Sequence, residues 1–249
     1  MRDKQDVNEY IVLLDEKPVS LCKSESHDTL EVSLLKYIYS HPSLPQIRGN
    51  PSALLAFIDE FAAKQAFFIS LGPDKAKKLS TLFADEKPKV VVELGTYVGY
   101  SAIMFADAMR QAAGGSSTGL RLWSLEADPL IASIAMNFIE LAGLSDIAKV
   151  VVGPADESLK RLNAEGKLPS VDLMFIDHIK DLYVPDLELS ERLGFLHPGS
   201  LILADNVVHP GAPAYREFVR GSSKYESWGM KCLLFPEDIV DEIEISRVK

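Results

Sequence analysis

Cysteine is scarce in this sequence, and basic residues are outnumbered. The 249 residues include only Cys22 and Cys232, which are far apart in the sequence and show no metal-ligand spacing, so the sequence argues against a disulfide framework and against a thiolate metal site. The 26 basic residues face 36 acidic ones, which gives a formal net charge of −10. This charge argues against electrostatic binding to nucleic acid or anionic lipid and favours a small-molecule partner.

Long apolar runs and the usual dinucleotide fingerprint are also missing. No stretch approaches the roughly 20 apolar residues that a membrane span requires, and the polar residues 1–6 are followed by no apolar segment. We therefore expect a cytoplasmic protein without a membrane partner. The sequence contains no Gly-x-Gly-x-x-Gly motif, which disfavours a nicotinamide dinucleotide. The composition, with 47% apolar and 25% charged residues, is typical of a globular protein.

The length is sufficient for one large α/β domain with a sizeable core. Residues 1–27 are polar and predict a loosely held extension, whereas residues 28–249 predict a single domain that begins with added helices. Residues 90–219 alternate strands rich in Val, Ile and Leu with helices. That alternation is typical of a doubly wound, mostly parallel sheet covered on both faces. Residues 230–235 and 239–248 predict a C-terminal antiparallel hairpin at one sheet edge.

The first predicted strand leads into a glycine-containing loop, Glu93-Leu-Gly-Thr-Tyr-Val-Gly-Tyr-Ser101. Gly95 and Gly99 allow a tight turn and a close approach of the backbone to a ligand. Glu93 would repel a phosphate but would accept hydrogen bonds from an ammonium group. This loop therefore suits S-adenosylmethionine, whose amino-acid end is cationic.

Acidic residues also follow the next two predicted strands. Glu126 is placed to accept hydrogen bonds from ribose hydroxyls, as an acidic residue does in related nucleotide-binding folds; alternatively, it interacts with the dipole of the following helix. Asp156 either accepts a hydrogen bond from the adenine amino group or caps a helix. Ligands of open α/β sheets bind outside the carboxyl ends of the strands, which is where both residues are expected.

Two further strand ends carry candidate metal ligands. Asp177 follows one strand and Asp205-Asn206 follow the next, so three oxygen ligands are expected to meet at one hard cation. Lone aspartates after strands are usually caps or turn formers, but carboxylate and amide oxygens without additional His or Cys suit Mg²⁺. His178 lacks a second His or Cys at zinc-ligand spacing, so we expect it to line the cofactor pocket.

Lys180 follows Asp177 by three residues and is either a solvated lysine or a general base. A nearby dication would favour its neutral form. A phenolic hydroxyl has a pKa of about 10, so ionising it near pH 7 requires roughly 4 kcal/mol. Coordination of the phenol to a divalent cation can supply most of that free energy.

Several motifs in the same order resemble those of the catechol O-methyltransferases and, more loosely, those of the cation-dependent O-methyltransferases that act on caffeoyl-CoA. The similarity extends from about Leu35 to Ile245. It is strongest in four segments: Val-Glu-Leu-Gly-Thr-Tyr-Val-Gly-Tyr-Ser (92–101), Phe-Ile-Asp-His-Ile-Lys-Asp (175–181), Leu-Ala-Asp-Asn-Val (203–207) and Val-Arg-Gly-Ser-Ser (219–223).

The resemblance implies a Rossmann-like methyltransferase fold and transfer of the sulfonium methyl group of S-adenosylmethionine to one hydroxyl of a catechol held on Mg²⁺. It implies Lys180 as the base and Asp177, Asp205 and Asn206 as metal ligands. The implied cofactor-contacting residues are Glu93, Gly95, Tyr97, Ser101, Glu126, Asp156, Asp177 and His178. The implied substrate-contacting residues are Phe67, Ile69, Leu71, Lys180, Asn206 and Pro210. By composition alone, the apolar loop 67–72 is either core filler or the lip of a pocket.

The sequence also departs from the family pattern. Ile179 and Phe67 stand where the family has tryptophans, and Ala155-Asp156 replace a Ser-Gln pair near the adenine. Phe235 replaces the carboxylate that holds the second catechol hydroxyl, although Glu237 is nearby in sequence. These departures predict a larger or less polar catechol, or altered regioselectivity. They also leave open the same chemistry on another vicinal-diol phenol, such as a caffeoyl ester, or a non-catalytic homologue that only binds the cofactor.

Overall fold

A computed structural model describes residues 29–64, 70–236 and 239–249 of the chain. In this part of the chain, the helices are α1 (Leu30–Ser40), α2 (Leu44–Ile47), α3 (Pro51–Ala63), α4 (Gly72–Glu86), α5 (Tyr100–Ala112), α6 (Pro129–Leu141), α7 (Ala155–Ala164), α8 (Tyr183–Arg192) and α9 (Pro213–Gly221). The strands are β1 (Val90–Leu94), β2 (Arg121–Glu126), β3 (Ala148–Val152), β4 (Val171–Ile176), β5 (Leu196–Ala204), β6 (Tyr225–Leu234) and β7 (Ile239–Val248).

The strands form one sheet in the order β3-β2-β1-β4-β5-β7-β6. Strands β1 to β5 pair in parallel, whereas β7 pairs antiparallel with both β5 and β6. The predicted doubly wound Rossmann-like fold with a C-terminal antiparallel hairpin is therefore confirmed. The strand order reverses between β1 and β4, and the carboxyl ends of these strands are where an open α/β sheet binds its ligand.

Both faces of the sheet are buried, and the side chains of alternate residues in each central strand pack on opposite faces. In β4, Leu173 and Phe175 pack in the core beneath α1 and α3–α6, whereas Met174 and Ile176 pack in the core beneath α7–α9. Such two-sided burial explains why the central strands read as continuous apolar runs in the sequence.

The structure differs from the sequence-based expectations in three places. Strand β6 begins at Tyr225, five residues before the predicted residue 230. Residues 42–51 contain three prolines and a glycine, which predict a plain connection, but they include the short helix α2, with Pro45 in its first turn. The apolar run 200–204 predicts a strand that starts at Ser200, whereas β5 begins four residues earlier, at Leu196. This start does not show in the sequence because the first four residues of β5, none of them buried, lack a continuous apolar pattern. The predicted division into an extension (1–27) and a domain (28–249) stays a prediction, since residues 1–28 lie outside the described part.

Candidate active site

The carboxyl ends of β1, β4 and β5 lie side by side and are joined by backbone hydrogen bonds. The Asp177 N–H donates to the carbonyl of Leu94 at 2.9 Å, and the Asp205 N–H donates to the carbonyl of Ile176 at 3.0 Å. The three loops that follow these strands therefore start next to one another. The predicted metal-binding residues and Lys180 lie on the loops after β4 and β5.

The glycine-containing loop after β1 is pressed against the end of β4. Gly95 has φ 99°, and a Cβ atom there would lie 2.3 Å from the carbonyl oxygen of Asp177. Gly99 has φ 90° and approaches Ala135 of α6. A side chain at Gly95 would collide with the backbone of Asp177, so this position requires glycine. A close approach of the loop to a ligand stays a prediction.

Glu93 is fully buried at the end of β1. One of its carboxylate oxygens, Oε2, accepts a hydrogen bond from Ser124, and Ser101 lies in the first turn of the following helix α5. The other oxygen, Oε1, is buried without a partner in the described residues. Burial raises the pKa of Glu93 to about 8, because the charged form loses its hydration. Direct contact with a cofactor would require neighbouring residues to move, so that predicted role stays a prediction.

Glu126, at the end of β2, holds two backbone segments. Its Oε2 accepts from the Tyr97 N–H at 2.9 Å, and its Oε1 accepts from the Asp128 N–H at 3.0 Å. Tyr97 has φ 47°, and its hydroxyl donates to Glu31 of α1 at 2.6 Å. Glu126 is partly exposed between the glycine-containing loop and the start of α6. A hydrogen bond from a ribose to this carboxylate stays a prediction.

Asp156 lies in the first turn of α7 and makes a surface ion pair. Its Oδ2 accepts from Lys160 at 2.7 Å, and the side chain is 44% exposed. The Lys160 ammonium lowers the pKa of Asp156. The N-cap of α7 is Pro154, so Asp156 is not the cap. Its proposed contact with adenine stays a prediction.

His178 is held rigidly after β4. Its Nε2 lies 2.7 Å from Oδ2 of the buried Asp186, and its ring stacks on Tyr183 with 5.4 Å between ring centroids. The other ring nitrogen, Nδ1, is buried and has no hydrogen-bond partner in the described part of the chain. A fixed ring with an unused nitrogen suits a residue that lines a ligand pocket.

Oxygens of the three predicted metal-binding residues surround the Lys180 ammonium, although Asp205 contributes its backbone carbonyl there and not the predicted carboxylate. Its Nζ lies 3.4 Å from Asp177 Oδ1, 3.3 Å from the Asp205 carbonyl and 3.5 Å from Asn206 Oδ1. Lys180 also donates to the Tyr183 hydroxyl, which donates to the Asp205 carbonyl at 3.1 Å. Residues from two strand ends therefore surround one cation, the ammonium itself.

Asp177, Asp205 and Asn206 are compatible with a hard cation, although together they carry only two carboxylates. Among the residues that the structure describes, no group of three or more His, Cys, Asp or Glu side chains could hold a metal ion. The predicted set contains two carboxylates and one amide. The oxygens that face the Lys180 ammonium are a carboxylate oxygen of Asp177, the amide oxygen of Asn206 and the backbone carbonyl oxygen of Asp205. These three oxygens can face one positive charge, and oxygen donors are what Mg²⁺ prefers.

The carboxylate of Asp205 has a partner that sequence reasoning missed. Lys75 of α4 lies 2.6 Å from Asp205 Oδ1 and 2.9 Å from Asp241 Oδ2 of β7, and all three side chains are at most 3% exposed. Burial raises the pKa of Asp205 to about 6, with Asp177 adding to the shift and Lys75 opposing it. The buried Lys75 ammonium thus supplies a counter-charge to the Asp205 carboxylate.

The sequence does contain a signal for Lys75 and Asp241. The buried face of α4 contains Gly72, Lys75, Leu79 and Phe83, so a lysine occupies an apolar helical face. Asp241 alternates with the buried Ile243 and Ile245 along β7. A charged residue at a core position requires a buried counter-charge. Which residue supplies that counter-charge is not readable from either pattern.

The predicted substrate-contacting residues are only partly described. Phe67 and Ile69 lie outside the described residues, as does Glu237. Leu71 is buried at the start of α4, and Pro210 is exposed in the loop after Asn206. Phe235 packs against Gly72, where an added Cβ would lie 2.5 Å from the Phe235 Cβ. An apolar ring therefore stands next to the predicted pocket wall.

A separate depression of about 370 Å³ lies at the opposite, amino-terminal end of the strands. Its lining includes Lys87, Asp172 and His197, which belong to none of the clusters above. The candidate active site is thus identified by its side chains and by its place at the carboxyl edge of the sheet.

Comparison with known proteins agrees with this geometry. A sequence model of the family described as O-methyltransferase matches residues 48–224. The chain belongs to the O-methyltransferase family. Bovine catechol O-methyltransferase is 33% identical over 214 residues, covering 86% of this chain and 75% of the relative. Catechol O-methyltransferase B of Danio rerio is 35% identical over 204 residues, covering 82% and 73%.

Solved structures show that this O-methyltransferase shares a common fold with distant relatives. An O-methyltransferase of Bacillus cereus in complex with SAH matches with a TM-score of 0.64 at 24% identity, covering 89% of this chain and 100% of the other. One from Streptomyces achromogenes involved in tomaymycin synthesis, in complex with SAM, matches with a TM-score of 0.62 at 19% identity, covering 92% and 100%. No helix in the described part of this chain is long and apolar enough to cross a membrane.

Proposed function

We propose that this O-methyltransferase transfers the methyl group of S-adenosylmethionine to one hydroxyl of a catechol, with a divalent cation held by Asp177, Asp205 and Asn206. The observation that supports the proposal most is that Asp177 Oδ1, Asn206 Oδ1 and the backbone carbonyl of Asp205 lie within 3.5 Å of one ammonium nitrogen. Oδ1 of the Asp205 carboxylate is bound to Lys75, so the cation would use the other carboxylate oxygen of Asp205. A bound Mg²⁺ would act there as a Lewis acid that favours ionisation of the substrate hydroxyl.

Lys180 is the proposed proton acceptor. Its Nζ is held within the same group of oxygens, and its side chain is 22% exposed, so it can turn towards a substrate. Like charges repel, so a dication among these oxygens would displace the ammonium and favour the neutral amine, the form that can accept a proton. The proton of the attacking hydroxyl goes to Nζ, the C–O bond forms and the C–S bond breaks. S-adenosylhomocysteine is then the leaving group.

The cofactor is proposed to occupy the carboxyl edge beside β1 and β2. The family's O-methyl transfer requires a methyl donor, and the S-adenosylmethionine-binding loop predicted from the sequence lies at the strand-order reversal. Glu126 is partly exposed at this edge, and the unused Nδ1 of His178 lies in the loop after the adjoining β4. Glu126 can bind polar groups of the donor without breaking its present hydrogen bonds, whereas the buried Nδ1 of His178 can do so only after neighbouring groups move. Holding donor and acceptor in line would supply much of the rate.

A second candidate is the same reaction on a less polar vicinal-diol phenol, such as a caffeoyl ester. Phe235 favours it, because an aromatic ring packed on Gly72 offers no hydrogen bond to a second hydroxyl. Ile179, which is 51% exposed, adds apolar surface beside His178. A non-catalytic cofactor-binding homologue is the third alternative, and the presence of Lys180 among the three oxygens argues against it.

The test is methyl transfer to catechol, to phenol and to a caffeoyl ester, each with Mg²⁺, with excess chelator, and after Mg²⁺ is restored. We expect transfer to the two diols only, its loss with chelator and its return with Mg²⁺. Transfer that continues in chelator would refute the cation. Cofactor binding without transfer to any acceptor would favour the non-catalytic alternative.

A further inference from the structure

Asp241 is a fully buried carboxylate on β7 that lies behind the proposed cation ligands. Its Oδ1 accepts from the backbone N–H groups of Val208 and His209 at 3.1 and 3.0 Å. Its Oδ2 accepts from Lys75 at 2.9 Å and from the Asn206 side-chain amide nitrogen at 3.1 Å. Each carboxylate oxygen of Asp241 thus accepts hydrogen bonds from two donors. Only a carboxylate can accept on both sides, because an asparagine would turn an NH₂ group towards donors.

The hydrogen bond to Asp241 decides which way the Asn206 side chain points. Because the Asn206 Nδ2 must face the carboxylate, its Oδ1 faces the opposite way, where it lies 3.5 Å from the Lys180 Nζ. The backbone of Asn206 is left-handed, with φ 56°. Asparagine tolerates that conformation better than most residues. Side-chain orientation and backbone conformation together direct an amide oxygen into the candidate site.

Lys75 connects this arrangement to the neighbouring strand end. Its ammonium is 1% exposed and bridges Asp241 to Asp205, and without it two buried carboxylates would lack a counter-charge. Lys75 binds Oδ1 of Asp205 and thereby restricts rotation of that carboxylate. One buried lysine and one buried aspartate, from α4 and β7, therefore hold both residues that follow β5.

We propose that Asp241, with Lys75 as its counter-ion, is a positioning residue that makes Asn206 an oxygen ligand instead of a nitrogen donor. The inference rests on the proposed cation site. Asp241 touches neither cation nor substrate and acts only through Asn206, Lys75 and the 208–209 backbone. Without it, the Asn206 amide can flip and present its NH₂ group to the cation, which weakens binding.

The experiment measures cation affinity directly. Mn²⁺ is titrated by calorimetry into the full chain carrying Asp241→Asn, with S-adenosylhomocysteine affinity measured on the same samples without metal. We expect at least about tenfold weaker Mn²⁺ binding, as is typical when a partner of a ligand is lost. S-adenosylhomocysteine affinity should stay within about twofold, because Asp241 has no contact with the predicted cofactor residues Glu126 and His178.

Glu242→Gln is the matched control. It removes the same charge from the next residue of β7, but Glu242 pairs with Arg216 at 2.8 Å and not with Asn206. We expect unchanged Mn²⁺ affinity. Equally weakened Mn²⁺ binding in both variants would show that the effect comes from net charge, and would overturn the positioning role. Wild-type Mn²⁺ affinity in Asp241→Asn would also overturn it. Absence of Mn²⁺ binding by the wild-type chain would instead refute the cation in the proposed function.

A measurement on the unaltered protein covers the case in which Asp241→Asn does not fold. Nuclear magnetic resonance can follow the exchange of side-chain amide hydrogens with water. The Asn206 amide hydrogens, one of which is bonded to a buried carboxylate, should exchange at least about tenfold more slowly than those of the exposed Gln46. Equal or faster exchange at Asn206 would show that the amide is not held, and would overturn the inference.

Discussion

The ends of β4 and β5 carry the same kind of residue in opposite surroundings. Asp177 and Asp205 each follow a buried parallel strand, and each has a lysine close by. The Asp177 side chain is 28% exposed, and its lysine, Lys180, is 3.4 Å away and 22% exposed. The Asp205 side chain is 3% exposed, and its lysine, Lys75, is 2.6 Å away and 1% exposed.

The difference shows that the β5 side of the candidate site is rigid before any ligand binds, whereas the β4 side can rearrange. The β5 end is enclosed by α4 and β7, whose buried charges cannot rearrange cheaply. The β4 end is open, so Lys180 can exchange partners as ligands arrive. The first two of the following predictions test whether the two lysines have these separate roles, and the other two test the end of β1 and the open side of the site.

The largest effect is expected from Lys180→Met on catalysis. Loss of the proposed proton acceptor should lower kcat for catechol methylation by about 10² to 10⁴, the usual contribution of a general base. Stability should change by no more than about 1 kcal/mol, because ion pairs of partly exposed groups contribute little. Initial-rate assays and thermal unfolding of the same samples measure the two quantities.

A matched variant for this prediction is Lys224→Met. Lys224 is also ion-paired, to Glu191 at 2.8 Å, but it is 63% exposed and lies near Leu196, at the amino end of β5 and opposite the candidate site. Its loss should leave kcat unchanged. If Lys180→Met retained wild-type kcat, the base would have to be another group.

The second-largest effect is expected on stability, from Lys75→Met. Removing one partner of a buried ion pair costs about 3–5 kcal/mol, and for a chain of this size each kcal/mol lowers Tm by roughly 2–4 °C. Lys78→Met, one turn later on α4, removes a 38% exposed lysine paired with Asp74 and should cost at most about 1 kcal/mol. Equal unfolding curves for the two variants would refute the contrast between the two strand ends.

Glu93 extends the comparison to the end of β1 and predicts an effect of pH. Its pKa is raised from 4.5 to about 8 by burial, so between these values the folded state binds more protons than the unfolded state. Stability should therefore fall as pH rises through this range, by at most about 1.4 kcal/mol per pH unit. Glu93→Gln should lack that contribution. Urea unfolding at pH 5.5 and 7.5 measures the difference, and parallel losses in both proteins would contradict it.

The smallest effect is expected at Ile179, on the open side of the site. Replacing it with serine should raise KM for an apolar diol about fivefold, since a half-exposed aliphatic side chain can contribute on the order of 1 kcal/mol of contact. Because Ile179 is already 51% exposed, Tm should not change. Leu182→Ser, on the short helical turn after Ile179 and 40% exposed, is the comparison variant. Unchanged KM in Ile179→Ser would remove this residue from the proposed pocket.

Much of the fold and of the candidate site was predictable from local patterns. Continuous apolar runs in β1, β4 and β5 require burial on both faces, and that requirement leads to a parallel sheet with polar residues at its carboxyl edge. Asp177 and Asn206 could therefore be assigned to one place without coordinates. Sequence patterns did not predict helix α2 or the start of β5, because short elements with exposed residues leave little periodic signal.

Local patterns determined which residues lie at the edge of the sheet, since strand period and chain order are local properties. They did not determine the partners of those residues. Lys75 and Asp205 are 130 positions apart, and Asp241 follows Asn206 by 35. Their contact depends on how α4 and β7 pack on the sheet. Buried charges must find partners wherever packing brings the chain, so only the tertiary structure decided which strand end is enclosed and which stays open.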